Sequence, residues 1–176
     1  MGGPRNGPGR PTRPQVPLTP QQRTAWGGPV LTLPTVADTQ ALGARLAGTL
    51  RAGDLIVLIG PLGAGKTALV QGIGAGLAVR GAVVSPTFVI ARVHRGRLPL
   101  VHVDAYRLGS LDEVDDLDLD VDMADAVTVV EWGSGLVEQL AEARLEIVVE
   151  RAEDSEQRTA RLVPVGGDWA TRVAAL

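Results

Sequence analysis

The chain has 176 residues, 45% of them apolar, and carries a net charge of −3. It has no cysteine, which excludes disulfide scaffolds, thiolate zinc sites and thiol nucleophiles, and its two histidines, His94 and His102, argue against a His-rich metal centre. No apolar run approaches the roughly 18 residues of a membrane span, and the N-terminus lacks the apolar core of a signal peptide, so the expectation is a cytoplasmic protein without a membrane partner.

The charge is unevenly spread. Residues 1–37 carry +4 and residues 38–176 carry −7. An acidic folded part disfavours direct nucleic-acid binding, so any RNA role is expected to pass through a protein partner. The 17 basic residues are 16 arginines and a single lysine, Lys66.

Residues 1–28 hold six prolines within the first 20 positions and show no apolar periodicity. Such a stretch cannot bury enough surface to offset chain ordering, and it reads as a disordered Pro/Arg-rich extension ahead of one domain at 29–176. Val30–Leu33 reads as a short strand closed by Pro34. Thr35 or Asp38 then caps a helix whose buried stripe is Leu42, Leu46 and Leu50, with Gly53 as its end. Residues 54–59 (DLIVLI) form a nearly continuous apolar run, the pattern of a strand buried on both faces of a parallel sheet. A glycine-rich turn over 60–67 and a helix from Lys66 to about Val79 follow.

Val83–Val84 begins a further extended piece that runs into Ser85-Pro86-Thr87-Phe88. Residues 88–93 and 98–103 are β-prone runs around Arg95-Gly96, the pattern of a hairpin. Residues 111–125 hold eight acids in 15 positions, interleaved with apolar residues, and read as short helical turns with an acidic outer face. Ala126–Val130 is another buried strand, and Ser134 caps a helix to about Ala141. Residues 145–150 and 159–164 read as two closing strands, and Gly166-Gly167 opens a terminal helix.

The chemistry concentrates in residues 60–67: Gly60, Pro61, Leu62, Gly63, Ala64, Gly65, Lys66 and Thr67. This is the Walker A phosphate-loop pattern, here between an apolar strand and a helix as that pattern requires. Glycines let the backbone approach phosphate, successive N–H groups point at its oxygens, and the helix N-terminus adds positive potential. Lys66 is expected to reach the β/γ-phosphates of a nucleotide, and the Thr67 hydroxyl to ligate Mg2+. A compact ammonium suits that cradle where a broad guanidinium does not. A nucleotide hydrolase also needs an acid at a strand end for the metal and the attacking water. Asp104 and Glu131 both fit, and the sequence leaves open which of them touches Mg2+.

Four segments together, residues 60–67 (GPLGAGKT), 85–88 (SPTF), 102–107 (HVDAYR) and 130–132 (VEW), resemble one family in order and spacing. It is the TsaE family, the ATPase of bacterial tRNA threonylcarbamoyladenosine biosynthesis, and the resemblance covers roughly residues 33–165. It implies an α/β, P-loop NTPase-like fold, a central parallel sheet with flanking antiparallel strands and helices on both faces. It also implies weak ATP hydrolysis, in concert with the tRNA threonylcarbamoyl-transferase subunit and its paralogous partner, with tRNA engaged only indirectly. Within that resemblance Lys66, Asp104 and Glu131 are the catalytic candidates, and Thr67, Glu131 and Asp104 the metal ligands. Thr87 falls in a switch-like loop. Trp132 lies either beside the nucleotide or in the core. Arg158 matches a late basic residue able to approach the nucleotide. Tyr106 and Arg107 contact phosphate or the partner, or Arg107 pairs with the 112–125 acids. His102 is expected to make one structural hydrogen bond. The acidic 111–125 segment is denser in acids than the family pattern. Two other readings remain at this point. A small P-loop metabolite kinase shares the loop but needs an Arg-rich lid, for which acidic residues 108–130 offer no candidate. A non-hydrolysing nucleotide-dependent regulator is the other.

Overall fold

A computed structural model describes residues 27–86, 91–105, 123–132 and 141–176. Strand β1 (Val30–Leu33) leads into helix α1 (Val36–Ala47). Thr35 is the N-cap: its hydroxyl accepts from the Asp38 amide while Asp38 accepts from the Thr35 amide, a reciprocal capping box. Leu42 and Leu46 are buried as the spacing predicts. The helix, however, stops at Ala47, with Gly48 as its C-cap, rather than at Gly53. Gly53 instead takes φ +84° in the turn before the next strand. Leu50 is still buried, because the chain turns back on the helix end.

Strand β2 (Leu55–Ile59) and helix α2 (Lys66–Gly76) flank the glycine-rich loop. Helix α2 ends three residues short of Val79. The Val79 amide bonds to the Gly74 carbonyl and the Ala78 amide to that of Ala75, with Ala78 at φ +54°, a Schellman closure built without glycine. Residues 82–86 are not a strand. Strands β3 (Ala91–His94) and β4 (Leu100–Asp104) form the expected hairpin. A 3-10 turn (Met123–Asp125) precedes β5 (Val127–Glu131), then β6 (Arg144–Arg151), β7 (Arg158–Val165) and helix α3 (Trp169–Ala174). Thr87, Tyr106 and Arg107, most of the acidic segment, most of the helix expected after Ser134 and nearly all of the 1–28 extension lie outside the described residues.

All seven strands belong to one sheet in the order β1-β7-β6-β2-β5-β4-β3. The central four, β6-β2-β5-β4, are mutually parallel. β7, β1 and β3 pair antiparallel at the two sides. The parallel strands are buried along nearly their whole length, so their sequences show no polar alternation.

One face carries the larger core. Ile56, Leu58, Leu100, Val127, Val129 and Ile147 meet Leu42 and Leu46 of α1, Leu69 and Ile73 of α2, and Trp169 and Val173 of α3. The opposite face packs Leu55, Val57, Val101, Val103 and Val130 with Ala105, Ala126, Met123 and Ala141. Helices α1 and α2 cross at a glycine seam. A Cβ on Gly72 would lie 2.0 Å from the Gln40 carbonyl oxygen, and one on Gly43 would lie 2.3 Å from that of Leu69. Neither clash is with a flexible side-chain end, so the backbones themselves must separate to relieve it. Helix α3 is clamped by Arg172, which pairs with Asp54, donates to the Thr49 carbonyl and stacks 3.8 Å from the Trp169 ring.

His94, on the edge strand, is 9% exposed and its Nε2 has no hydrogen-bond partner among the described residues. Burial pushes its pKa below the usual 6.5, and nearby His102 and Arg92 push it further down. The folded imidazole is therefore neutral where the unfolded chain still takes up a proton. Stability from this group is complete above about 6.5 and is lost as pH falls below that value.

Two outcomes follow from this packing. Gly72→Ala should destabilise the protein by about 1–3 kcal/mol, read as a lower Tm, with the fold retained at low temperature. The loss of Tm between pH 7 and pH 5 should be smaller in His94→Leu than in the parent; an identical pH slope would show that His94 is not a neutral buried group.

Candidate functional site

The four parallel strands bring their carboxyl ends to one edge of the sheet, where ligands bind in open α/β folds. There β2 leaves Ile59 for the loop 60–65, β4 ends at Asp104 and β5 at Glu131. In register, Asp104 sits opposite Glu131 and Glu131 opposite Leu58. Both acids therefore flank the loop, and both are buried, at 6% and 4% exposure.

The loop needs its glycines on steric grounds alone. A Cβ on Gly60 would lie 2.1 Å from the Val149 carbonyl oxygen of β6. Gly65 takes φ +105° as the N-cap of α2, and a Cβ there would lie 2.7 Å from Arg158 Nε. Gly63, at φ +77°, faces open space, and Leu62 at the loop tip is 85% exposed. Ala64, by contrast, is core.

Lys66 is 4% exposed. Its Nζ donates to the Gly60 and Pro61 carbonyl oxygens, both at 2.9 Å, and lies 3.9 Å from the Trp132 ring centroid. Burial lowers the Lys66 pKa, against the pull of Glu131 and Asp104, which raise it. Trp132 takes φ +63°, a left-handed backbone that a bulky residue rarely adopts. Its ring lies against the Lys66 ammonium.

Side-chain alternation explains how the acids meet α2. Leu100, His102 and Asp104 share one face of β4, and Val127, Val129 and Glu131 share the same face of β5. In register His102 lies opposite Val129, so His102 and Glu131 are diagonal neighbours. His102 Nε2 is 2.8 Å from Glu131 Oε1. The Thr67 hydroxyl donates to the same oxygen at 3.4 Å. A carboxylate is acceptor-only, so Nε2 is the donor of the imidazole contact.

These donors are chemically suited to a hard cation beside phosphate. Mg2+ takes oxygen ligands, keeps several waters, and is held by one or two carboxylates plus substrate phosphates rather than by a protein cage. Thr67, Glu131 and Asp104 offer such a set, and no group of three or more His, Cys, Asp or Glu that could hold a metal ion occurs among the described residues. The open side of Gly63 and the start of α2 offer the matching anion cradle.

Arg158 is 5% exposed and packs against Gly65. Its Nη1 donates to the Glu156 carbonyl at 2.6 Å, while Nε has no hydrogen-bond partner among the described residues.

The family model for the threonylcarbamoyl adenosine biosynthesis protein TsaE matches residues 33–160. A tRNA threonylcarbamoyladenosine biosynthesis protein TsaE from Streptomyces coelicolor is 59% identical over 137 residues, covering 74% of this chain and 93% of the relative. The namesake from Mycobacterium tuberculosis H37Rv is 52% identical over 144 residues, covering 76% and 86%. The crystal structure of Bacillus subtilis YdiB superposes with a TM-score of 0.68 at 30% identity, covering 85% of this chain and 93% of that one.

The chain belongs to the TsaE family. The fold is accordingly P-loop NTPase-like, as the sequence implied, and the family's role is in tRNA threonylcarbamoyladenosine biosynthesis. Among the described residues no helix is long and apolar enough to cross a membrane.

Of the site residues expected from the phosphate-loop pattern, the strand-end acids and the family resemblance, the structure gathers Gly60, Pro61, Gly65, Lys66, Thr67, Asp104, Glu131, Trp132 and Arg158 around one edge of the sheet. Trp132, left open between core and nucleotide, lies against Lys66. Two contributors were not read from sequence. His102 was expected to make one structural hydrogen bond; its Nε2 contact is to the side chain of Glu131. Gln71 of α2 donates to the Val83 carbonyl at 3.2 Å and accepts from Gln40, so it anchors the segment leading to Thr87. A two-residue alternation from Asp104 back to His102 was the available signal for the first; no local pattern marks the second.

Because burial outweighs the two carboxylates at Lys66, its charge is held at some cost to the fold. Lys66→Met removes that cost together with two carbonyl hydrogen bonds and the ring contact, so Tm should stay within about 2–4 °C of the parent. A clear fall in Tm would mean that Lys66 stabilises the empty fold.

Proposed function

We propose that the chain is an Mg2+-dependent ATPase of tRNA threonylcarbamoyl modification at the adenosine next to the anticodon. It acts in the cytoplasm with the threonylcarbamoyl-transferase subunit and that subunit's paralogous partner, and meets tRNA only through them. The observation that carries this reading is the placement of Lys66 and Thr67, at the head of α2, against Asp104 and Glu131 on adjacent strand ends.

In this reading the loop amides bind the phosphates, and Lys66 exchanges the Gly60 and Pro61 carbonyls for the β/γ oxygens. Thr67 and Glu131 would hold Mg2+, which would supply charge neutralisation at the phosphates. Asp104 orders the attacking water or the cation's water shell. Thr87, next to the anchored Val83–Pro86 segment, senses the γ-phosphate. Trp132 covers the Lys66 stem, and Arg158 braces Gly65 from behind. Among the described residues, Lys66 and Arg158 are the cations that the geometry brings to the loop, and Arg158 is already tied to Glu156.

Calorimetric titration with ATP tests the assignment. Lys66→Ala should weaken binding by about 10- to 100-fold, the worth of a charge-assisted hydrogen bond. Thr67→Ala and Glu131→Ala should bind ATP with little benefit from Mg2+. Adding the transferase subunits should stimulate ATPase activity in the parent. Parent-like ATP binding by Lys66→Ala would sink the phosphate-loop role. Phosphorylation of a metabolite would favour a small kinase, and partner binding without any hydrolysis would favour a regulator.

A further inference from the structure

We propose that His102 is the positioning residue for Glu131, fixing one carboxylate oxygen so that the other is presented to the cation. The inference rests on the reading of Glu131 as a metal-side acid and adds a residue to that site.

Glu131 ends β5 with 4% exposure, so its carboxylate has little water to orient it. Left to rotate, it would sample orientations that do not face the loop. Two donors converge on Oε1: the Thr67 hydroxyl at 3.4 Å and His102 Nε2 at 2.8 Å. The Thr67 contact is the longer, and its oxygen is also the one required at the metal. The His102 contact is short and comes from a side chain that has no exposure at all. Its backbone is held on both sides, by Arg92 of β3 and Val129 of β5 in register. His102 is therefore rigid where Thr67 has a second task.

The other ring nitrogen supports the same assignment. Nδ1 is buried with no hydrogen-bond partner among the described residues. A histidine kept for scaffold hydrogen bonding would be expected to use both nitrogens, because an unmet buried polar atom costs stability. Here the ring spends its one contact on Glu131. A partner that fixes a ligating group from behind is a recurrent feature of metal sites, and its loss weakens metal affinity by about 10- to 100-fold.

The test uses the full chain and reads the Mg2+ concentration needed for half-maximal enhancement of ATP binding, together with Tm of the nucleotide-free protein. His102→Phe fills the space without a donor, and His102→Gln keeps an amide donor near the Nε2 position. The Phe variant should need about tenfold more Mg2+ while its Mg2+-free ATP affinity stays within about twofold. The Gln variant should stay within about threefold of the parent. In a Glu131→Gln background, His102→Phe should add no further change in Mg2+ requirement. Should His102→Phe not fold, His102→Asn, whose amide stops a carbon short of Oε1, takes its place with the same expected loss. A parent-like Mg2+ requirement in the Phe or Asn variant would overturn the inference. So would equal impairment of Gln and Phe, or independent effects in the double variant, since each marks a packing role. If the parent itself showed no Mg2+ enhancement, the metal-side reading of Glu131 would fail, and this inference with it.

Discussion

The buried carboxyl edge of β2, β4 and β5 holds one ammonium, two carboxylates and one imidazole, and their mutual compensation sets the terms for the rest of the fold. Lys66, Asp104, Glu131 and His102 are 4%, 6%, 4% and 0% exposed. An isolated ion so placed would cost several kcal/mol. The cluster stands because Lys66 sits between loop carbonyls and an aromatic face, close enough to both acids for their charges to offset part of its desolvation. That compensation depends on register. A slip of one residue in β4 or β5 would turn Asp104 or Glu131 to the other face and leave a cation and an imidazole without their partners.

Parts of the molecule remote in sequence serve the same edge. The β6–β7 hairpin pairs antiparallel at the side of the parallel core, yet the loop leans on it twice. Val149 leaves no room for a side chain at Gly60, and Arg158 leaves none at Gly65. The loop's shape is thus specified by protein contacts before any phosphate arrives. The glycine seam does the equivalent for α2. It lets α1 approach closely enough to hold the helix whose first residues are Lys66 and Thr67, and Gln71 on that helix ties down the Val83 segment. Core packing and site geometry are here one set of contacts.

Much of this was legible from sequence, for definable reasons. Buried parallel strands have continuous apolar runs, so β2 and β5 stood out. Residues of fixed backbone preference marked the loop and the β3–β4 turn. The errors fall where termination is decided by tertiary context. Leu50 extended the apolar stripe of α1 beyond its true end, because a turn that folds back on a helix buries its leucine just as another helical turn would. Ala78 closes α2 in a conformation that glycine usually supplies, so no sequence mark announced it. The role of His102 was hidden for a different reason. Its partner lies on the neighbouring strand, distant in sequence, and only the sheet register makes a diagonal pair of His102 and Glu131.

The single lysine among 16 arginines can now be given a structural cause. Its Nζ fits between two carbonyl oxygens and against one ring at the same time. A planar guanidinium presents a fork in a fixed plane, and stacking that plane on Trp132 would direct its donors along the ring rather than down into the loop carbonyls. In the proposed reading a phosphate at the loop would recruit Lys66 against two hydrogen bonds and a cation–π contact, and the Trp132 ring would then lose its cation. If the loop binds phosphate as proposed, the ring that Lys66 would leave belongs to Trp132, which follows Glu131 directly at the end of β5 and already sits in a left-handed backbone.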